Sequence, residues 1–477
     1  MKKQPPALRL RLGRPAALAA LVAALAAAGC ARVTPPGPSL ADRLAYGPAV
    51  EARYRPDQRW WRVYGDERLN ALVELALQNN LDLARAALSV NRALFQAGLV
   101  EADLTPSFSG GLSASSRRNL RQGGPSVRAF GGQAQLGYEL DLWRKVADAA
   151  SAAQWEYQAT AEDLEATRLT LINKVADAYY NLAYLNDALA AGEANLKNLQ
   201  TLVETTRAKH QAGKVAAVEP AQAAQAVLSA ESGLLGYQNQ LQTAGQTMRN
   251  FLNLQPNDPL NLEGLTLSRV EPPEPDLRVP LAVLANRPDL KAAEFRLRRA
   301  FENVKVAEKA WLPAISLEAA ISSSGAALAQ AFNQPLGTAG LTLSLPFLDW
   351  ARVADNLRLT EVDFETVRLN FETALTTALN EVDTFHQHYR TARAALDNAR
   401  RRYAQDFKIG DYYRDRYQSG AAELSDWLNA ANSVNTSRLA ALNALYELIT
   451  AANRTYQAMG GRYVDTAIPG LPPNPLP

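Results

Sequence analysis

The chain has 477 residues, 50 Lys and Arg against 48 Asp and Glu, a formal net charge of +2 and 47% hydrophobic residues. A mean hydropathy of −0.21 excludes a polytopic helical membrane protein. Lys2, Lys3, Arg9, Arg11 and Arg14 all precede the single cysteine, so removing these five cations with residues 1–29 takes the balance to −3 and withdraws support for nucleic-acid binding by a basic surface.

The N-terminus carries a basic stretch to Arg14, then an Ala/Leu/Val run from Ala16 to Ala28 that is short for a transmembrane helix. Residues 1–29 therefore read as a signal peptide. Cys30 is the only cysteine, so no intrachain disulfide can form. Ala27-Ala28-Gly29-Cys30 resembles a bacterial lipobox, with Ala27 where leucine is usual. That resemblance implies cleavage before Cys30, a diacylglycerol and an N-acyl chain on it, and no other cofactor. Ala31 follows in place of a retention aspartate, which favours the outer membrane.

Residues 30–65 form a lipid-anchored leader, proline-rich from Val33 to Pro38 and ending at Trp60-Trp61-Arg62-Val63-Tyr64. A first repeat spans 66–254. It opens with a helical pattern from Glu67 to Ala102, followed by two strands at about 106–117 and 129–141. A helical hairpin over about 143–254 completes it. The first arm runs from Trp143 to about Ala212 without proline and with one glycine, Gly192. Leu164, Leu171, Val175, Ala178, Leu182, Leu185, Leu189, Leu196, Leu199 and Val203 follow at spacings of 7, 4 and 3, an a/d heptad seam. Gly213 ends this arm, and Pro220 stands in the first turn of the second. The second arm continues the seam through Val227, Ala230, Leu234, Tyr237, Leu241, Ala244, Met248 and Phe251.

A proline-rich linker, 255–280, leads to a second repeat at 281–461 with a fixed offset of 207 residues. Asp82-Leu83 matches Asp289-Leu290, Arg92-Ala93 matches Arg299-Ala300, and Pro106 matches Pro313. Trp143, Val146, Ala147 and Asp148 match Trp350, Val353, Ala354 and Asp355, and Gln211 and Gly213 match Gln418 and Gly420. One register held from Asp82 to Gly213 implies duplicated structure. The second repeat has strands at about 313–324 and 339–348 and a hairpin at about 350–460. Residues 462–477 form a proline-rich tail.

The strands alternate with period two. Phe108, Gly110, Leu112 and Ala114 alternate with Ser107, Ser109, Ser113 and Ser115, and Leu341, Leu343, Leu345 and Phe347 with Thr342 and Ser344. This suits both a lipid-facing, water-filled barrel and a soluble half-buried sheet. Four strands cannot close a barrel, which takes about eight or more, and lipid does not tolerate an open edge. Membrane-spanning strands would therefore have to be shared between copies.

The chain resembles the outer-membrane efflux factors, the TolC/OprM-like family, in its lipoprotein branch associated with RND-type systems. The carrying residues are the Trp60–Leu77 opening, Leu81-Asp82-Leu83 and Tyr138-Glu-Leu-Asp-Leu-Trp143. In the second half they are Asn286-Arg-Pro-Asp-Leu-Lys-Ala-Ala-Glu294, Leu312-Pro-Ala-Ile-Ser-Leu317, Leu345-Pro-Phe347 and Tyr456-Gln-Ala-Met-Gly-Gly461. The family typically shows a glycine near Trp143 and Trp350, where this chain has Arg144 and Ala351-Arg352. The resemblance implies a mainly α fold with a small transmembrane β-barrel: a homotrimer whose twelve-stranded barrel continues into an α-helical tunnel. It implies a passive exit duct in the outer membrane, docked to a periplasmic adaptor and an inner-membrane RND-type pump, that exports small toxic molecules or drugs. A duct for type I protein secretion and a lipid-anchored periplasmic coiled-coil adaptor are the alternatives.

No catalytic motif emerges, and the i, i+2 spacing of His386 and His388 directs their rings to different sides of a helix. In a duct the informative residues stand at the helix turns. Gly213, Lys214, Ser419 and Gly420 are the expected adaptor-contacting tips. Arg414, Arg416, Glu423 and Asp426, with Glu219 beside the first turn, are the expected periplasmic gate, either as inter-helix salt bridges or as a charged ring.

Overall fold

The computed structural model describes residues 59–121, 125–262, 264–275 and 287–460. The signal peptide, Cys30 with its lipidation, most of the leader, the end of the linker and the tail lie outside the described residues.

A short 3₁₀ turn, Trp60–Tyr64, is followed by α1 (Glu67–Asn79), α2 (Leu81–Ala102), β1 (Ser107–Arg117), β2 (Val127–Leu140), α3 (Lys145–Gln211) and α4 (Val218–Leu252). The second half gives α5 (Pro288–Lys309), β3 (Ala314–Gly325), β4 (Leu336–Ser344), α6 (Trp350–Gln418) and α7 (Leu424–Ala458). Helices α2 and α5 are both 22 residues long and stand 207 residues apart at each end. The long arms α3 and α6 have 67 and 69 residues, and both return arms have 35.

The structure departs from the sequence reading at two points. The helical pattern from Glu67 to Ala102 is two helices, because Asn80 leaves the helical conformation and its Oδ1 accepts the Asp82 and Leu83 amides at 3.0 and 3.1 Å. An asparagine cap satisfies N–H groups that have no carbonyl behind them, so a new helix starts there. The Asn80 amide also donates to the Phe251 carbonyl at 3.0 Å, pinning the junction to the end of α4. The second departure is β4, read as reaching about residue 348, which stops at Ser344. Pro346 has no N–H for the ladder, and Pro346–Asp349 coils into a 3₁₀ turn that feeds α6.

The described chain divides into two compact units. One comprises Gln96–Ala152 and Glu302–Glu361 and contains the sheet. Its strands are antiparallel in the order β1-β2-β3-β4. Ser107 faces Gly137 in the first ladder and Ala314 faces Ser344 in the third, so the 207-residue shift carries one ladder onto the other. Between them, β2 and β3 pair from Phe130↔Gly325 to Leu140↔Ile315. Asp141 caps α3 by accepting the Val146 and Ala147 amides at 3.0 and 2.8 Å.

The other unit holds the remaining described residues, which include most of the helices. The α3 seam is buried at Leu164, Leu171, Val175, Leu182, Leu185, Leu199 and Val203. Gly192 has a packing reason: a Cβ there would stand 2.8 Å from Leu234 Cδ2, so its absence lets the α4 seam seat against α3. Helix α6 behaves differently, exposing Leu359, Val362, Leu369, Leu375, Leu379, Phe407 and Ile409. Trp60 stacks on Tyr456 with ring centroids 5.4 Å apart. Tyr64 donates to Asn453 at 2.6 Å, and Asn453 donates to Asp177 at 2.7 Å.

Two measurements check these joints. Asn80→Ala should destabilise the protein by about 1 kcal/mol, the usual worth of an N-cap, in urea or thermal unfolding. Burial raises the Asp177 carboxyl to about 6 despite the opposing Asn453 bond. Its folded form therefore holds a proton more tightly than the unfolded chain, so it costs stability above about pH 6 and that cost fades on acidification. Asp177→Asn should raise the unfolding midpoint at about pH 7.5 and lose most of that gain near about pH 4.

Candidate functional site

The turns that close the two helical hairpins have one construction. Gly213 and Gly420 take φ of +69° and +78°, which an L side chain rarely adopts. Lys214 N donates to Lys209 O at 2.9 Å and Gly213 N to His210 O at 2.9 Å. One repeat later, Ala421 N donates to Arg416 O at 2.7 Å and Gly420 N to Tyr417 O at 3.2 Å. Each is a Schellman turn, in which the chain past the helix satisfies carbonyls that the helix leaves open. Gly213, Lys214, Ser419 and Gly420 are all exposed. The Ser419 hydroxyl spends its donor on the Asp415 and Arg416 carbonyls, both at 3.0 Å.

The charged residues read as a gate are engaged close to home. Arg414 pairs with Asp411 at 2.8 Å and Asp415 at 3.4 Å, all on α6. Arg416 holds the Ala421 carbonyl through Nε at 3.2 Å and Nη2 at 2.9 Å, and donates to the Tyr412 hydroxyl at 3.1 Å. Glu423 is the N-cap residue of α7, and its amide reaches Asp426 Oδ2 at 3.4 Å. Among the described residues these four stabilise the second turn and form no salt bridge from one hairpin to the other.

The link between the hairpins runs through residues that the charge pattern did not single out. Lys209, at the end of α3, donates from Nζ to the Tyr417 carbonyl at 2.7 Å and lies 3.8 Å from the centre of the Tyr417 ring. A cation here meets the negative end of the α6 dipole as well as the ring face. The Tyr417 hydroxyl donates to Glu219 Oε2 at 3.3 Å, so Glu219 is the one predicted gate residue that bonds across to the other hairpin. Burial, then the adjacent Glu219 carboxylate, pushes the Tyr417 phenol up to about 12. Around this bond Leu199, Leu202, Val203, Ala223, Tyr417 and Leu424 form a small buried core, with Trp427 packed against it. Nearby, α3, α6 and α7 enclose a groove of about 310 Å³ lined by Asn195, Leu202, Phe407, Arg414, Trp427 and Val434. A lysine and a tyrosine at helix ends were visible in the sequence, but nothing in their spacing brought them together.

The sheet is the second candidate surface. Its register puts most of the apolar residues of the four strands on one face, with Val127 and Leu336 on the other. Phe108 faces Leu136, which faces Ala319 and then Ala339, while Tyr138, Leu317 and Leu341 form another row. The other face carries Ser109, Gln135 and Thr338 in one row and Glu139, Ser316 and Thr342 in another. The apolar face is uncovered: Phe108 is 78% exposed, and Leu112, Ile321, Leu341 and Leu343 are exposed too. The outer edges of β1 and β4 have no strand beside them among the described residues. Among those residues no helix is long and apolar enough to cross a membrane, and no cluster of His, Cys, Asp and Glu could hold a metal.

Comparison with known proteins adds four findings. The family described as "Outer membrane efflux protein" matches twice, over residues 72–254 and 279–461. The chain is 42% identical to "Toxin and drug export protein A" of Aggregatibacter actinomycetemcomitans, over 87% of this chain and 91% of that protein. It is 29% identical to "Pyoverdine export outer membrane protein OpmQ" of Pseudomonas putida, over 94% of this chain and 97% of that one. In fold it is similar to the crystal structure of the Campylobacter jejuni CmeC outer membrane channel, with a TM-score of 0.76 and 24% identity over 90% and 94% of the two chains.

The tip geometry makes a local prediction. Lys209→Met removes the cation and keeps most of the side-chain volume. Amide exchange over residues 418–424 should quicken by about tenfold, the equivalent of ~1.4 kcal/mol for a charged hydrogen bond. Exchange over the sheet should stay as it was.

Proposed function

The chain belongs to the outer membrane efflux protein family, and from that premise we propose that three copies share one barrel and one tunnel as the exit duct of a tripartite efflux system. The observation that carries this reading is the four-stranded sheet with one uncovered apolar face and two open edges. In lipid each open edge must find a strand, and twelve strands give a barrel wide enough for a water-filled lumen. The polar face, with Gln133, Gln135 and Thr338, lines that lumen, and the apolar face meets hydrocarbon. The exposed stripe of α6 is covered by the neighbouring copies. Cys30, acylated at its sulfur and new amino group, adds a lipid anchor in the outer membrane.

The helix turns meet a periplasmic adaptor, which connects the duct to an inner-membrane RND-type pump. The pump supplies the energy and selects the cargo, so the duct needs no catalytic group of its own. Drugs and other small toxic molecules are the proposed cargo, in keeping with the name of the 42% identical relative. A second cargo, secreted protein, is favoured by the word toxin in that name. The two readings separate in a deletion strain, by drug susceptibility on one side and the profile of exported proteins on the other.

Gating follows from the tip. The Tyr417–Glu219 bond and the Lys209 contact hold the tips of the two hairpins of a copy together, and opening requires that the tips part. The trimer is the element with two states. Arg414, Arg416, Glu423 and Asp426 brace the second turn, so their loss loosens the same closure.

The first test is the native mass of full-length protein extracted from outer membranes in mild detergent. A trimer is expected, and a monomer in the soluble periplasmic fraction would overturn the duct. In planar bilayers Tyr417→Phe, Glu219→Gln, Arg416→Ala and Glu423→Ala should each raise the closed-state conductance. Unchanged conductance in all four would remove the tip as the gate.

A further inference from the structure

The contacts that join the two repeats inside one chain specify the seam between copies. Each repeat has a front and a back, and within the chain the back of the first meets the front of the second. At the back of the second repeat the outer edge of β4 and a stripe of α6, and at the front of the first the outer edge of β1 and a stripe of α2, stay exposed among the described residues.

In the sheet, β2 meets β3 with Tyr138 facing Leu317 and Gln135 facing Ala320. Beside this ladder the Trp143 indole donates from Nε1 to the Pro313 carbonyl at 2.7 Å, clamping the end of β2 to the start of β3. Moving each partner by 207 residues places Trp350 against Pro106. Trp350 is 67% exposed and has no hydrogen-bond partner in the described chain, and Pro106 is exposed as well. The same shift turns the β2–β3 register into one for β4 against a second β1. Leu343 then faces Leu112, Leu341 faces Ala114, and Thr342 faces Ser113. Apolar meets apolar and polar meets polar, which a slip of one residue would reverse.

The helices follow the same rule in the other unit. Arg299 on α5 pairs with Glu156 on α3 at 2.6 Å, and Phe295 stacks on Trp155 at 5.6 Å. Their counterparts are Arg92 with Asp363 and Leu88 with Val362. Opposite charges again stand at matching positions, both exposed and neither engaged among the described residues. Leu88 and Val362, 59% and 62% exposed, supply the apolar pair. One contact is not carried over: Lys309 holds Asp148, but Ala102 stands where the next lysine would be, and Asp355 turns to Arg358 on its own helix at 3.2 Å.

We propose that β4 of one copy pairs with the partner's β1 in the register Thr342↔Ser113. The Trp350 indole is bonded to the partner's Pro106 carbonyl, and Asp363 is paired with the partner's Arg92. The proposal rests on the shared-barrel reading and adds to it the register and the residues of the seam. Facing Cα atoms in an antiparallel ladder lie about 4.5–5.5 Å apart, within disulfide range.

The test is oxidation of the full-length double variant Thr342→Cys/Ser113→Cys in outer membranes, followed by non-reducing electrophoresis. A ladder of covalent dimers and trimers is expected, with little cross-linking in the register-shifted variant Thr342→Cys/Ser115→Cys. Separately, Arg92→Asp should lower the temperature at which the trimer dissociates, and Arg92→Asp/Asp363→Arg should recover it. A trimer that cross-links mainly through the shifted pair, or through neither, overturns the seam while the shared barrel stands. A native mass below a trimer in the unmodified protein overturns the barrel itself.

Discussion

The ladder between β2 and β3 is the joint on which the rest depends. It unites the two repeats of the chain, and it does so through a backbone ladder that runs from Phe130↔Gly325 to Leu140↔Ile315. Because the pairing period is two, that one ladder also decides which side chains share a face. With Tyr138 opposite Leu317, every strand contributes most of its apolar residues to one surface. The same register leaves β1 and β4 as open edges, a condition that hydrocarbon does not permit. In lipid a single copy would thus be an incomplete object, and the demand for further copies would come from backbone hydrogen bonding before any side chain is considered.

The helices answer the same incompleteness in a different currency. The α3 seam is covered within the chain because α4 and the second repeat pack against it. Its repeat partner α6 exposes Leu359, Val362 and Leu369, since its counterpart neighbour is not part of the same chain. Duplication therefore produces two helices of nearly equal length with unequal burial. The inequality measures position in a series, and it is a poor guide to the importance of either helix.

At the tips, local chemistry and long-range contact divide the work. Schellman bonds and the Arg416 guanidinium close the second turn upon itself, and Glu423 and Asp426 begin the next helix. These groups make each hairpin rigid up to its end. What crosses from one hairpin to the other is a lysine, a tyrosine and one carboxylate over a small apolar core.

Much of this was legible in the sequence, for physical reasons that can be named. Heptad spacing from Leu164 to Val203 determined a long helix with a buried seam, because side-chain direction in a helix depends only on spacing. Gly213 and Gly420 marked the turns because a positive φ excludes most other residues. The 207-residue repeat carried strand order and hairpin topology from one half to the other. What the sequence left undetermined required neighbours distant along the chain. Asn80 reads as one more polar helix residue until its amide is seen to reach Phe251. Arg416 and Glu423 stand out in the sequence as charges near a turn, but it does not show that one holds the Ala421 carbonyl and the other starts the next helix. Lys209 and Tyr417 stand 208 residues apart, and only the packing of α3 beside α6 brings them within a hydrogen bond. Periodicity and backbone strain are local properties, written residue by residue; partnership between distant side chains is decided when the helices pack.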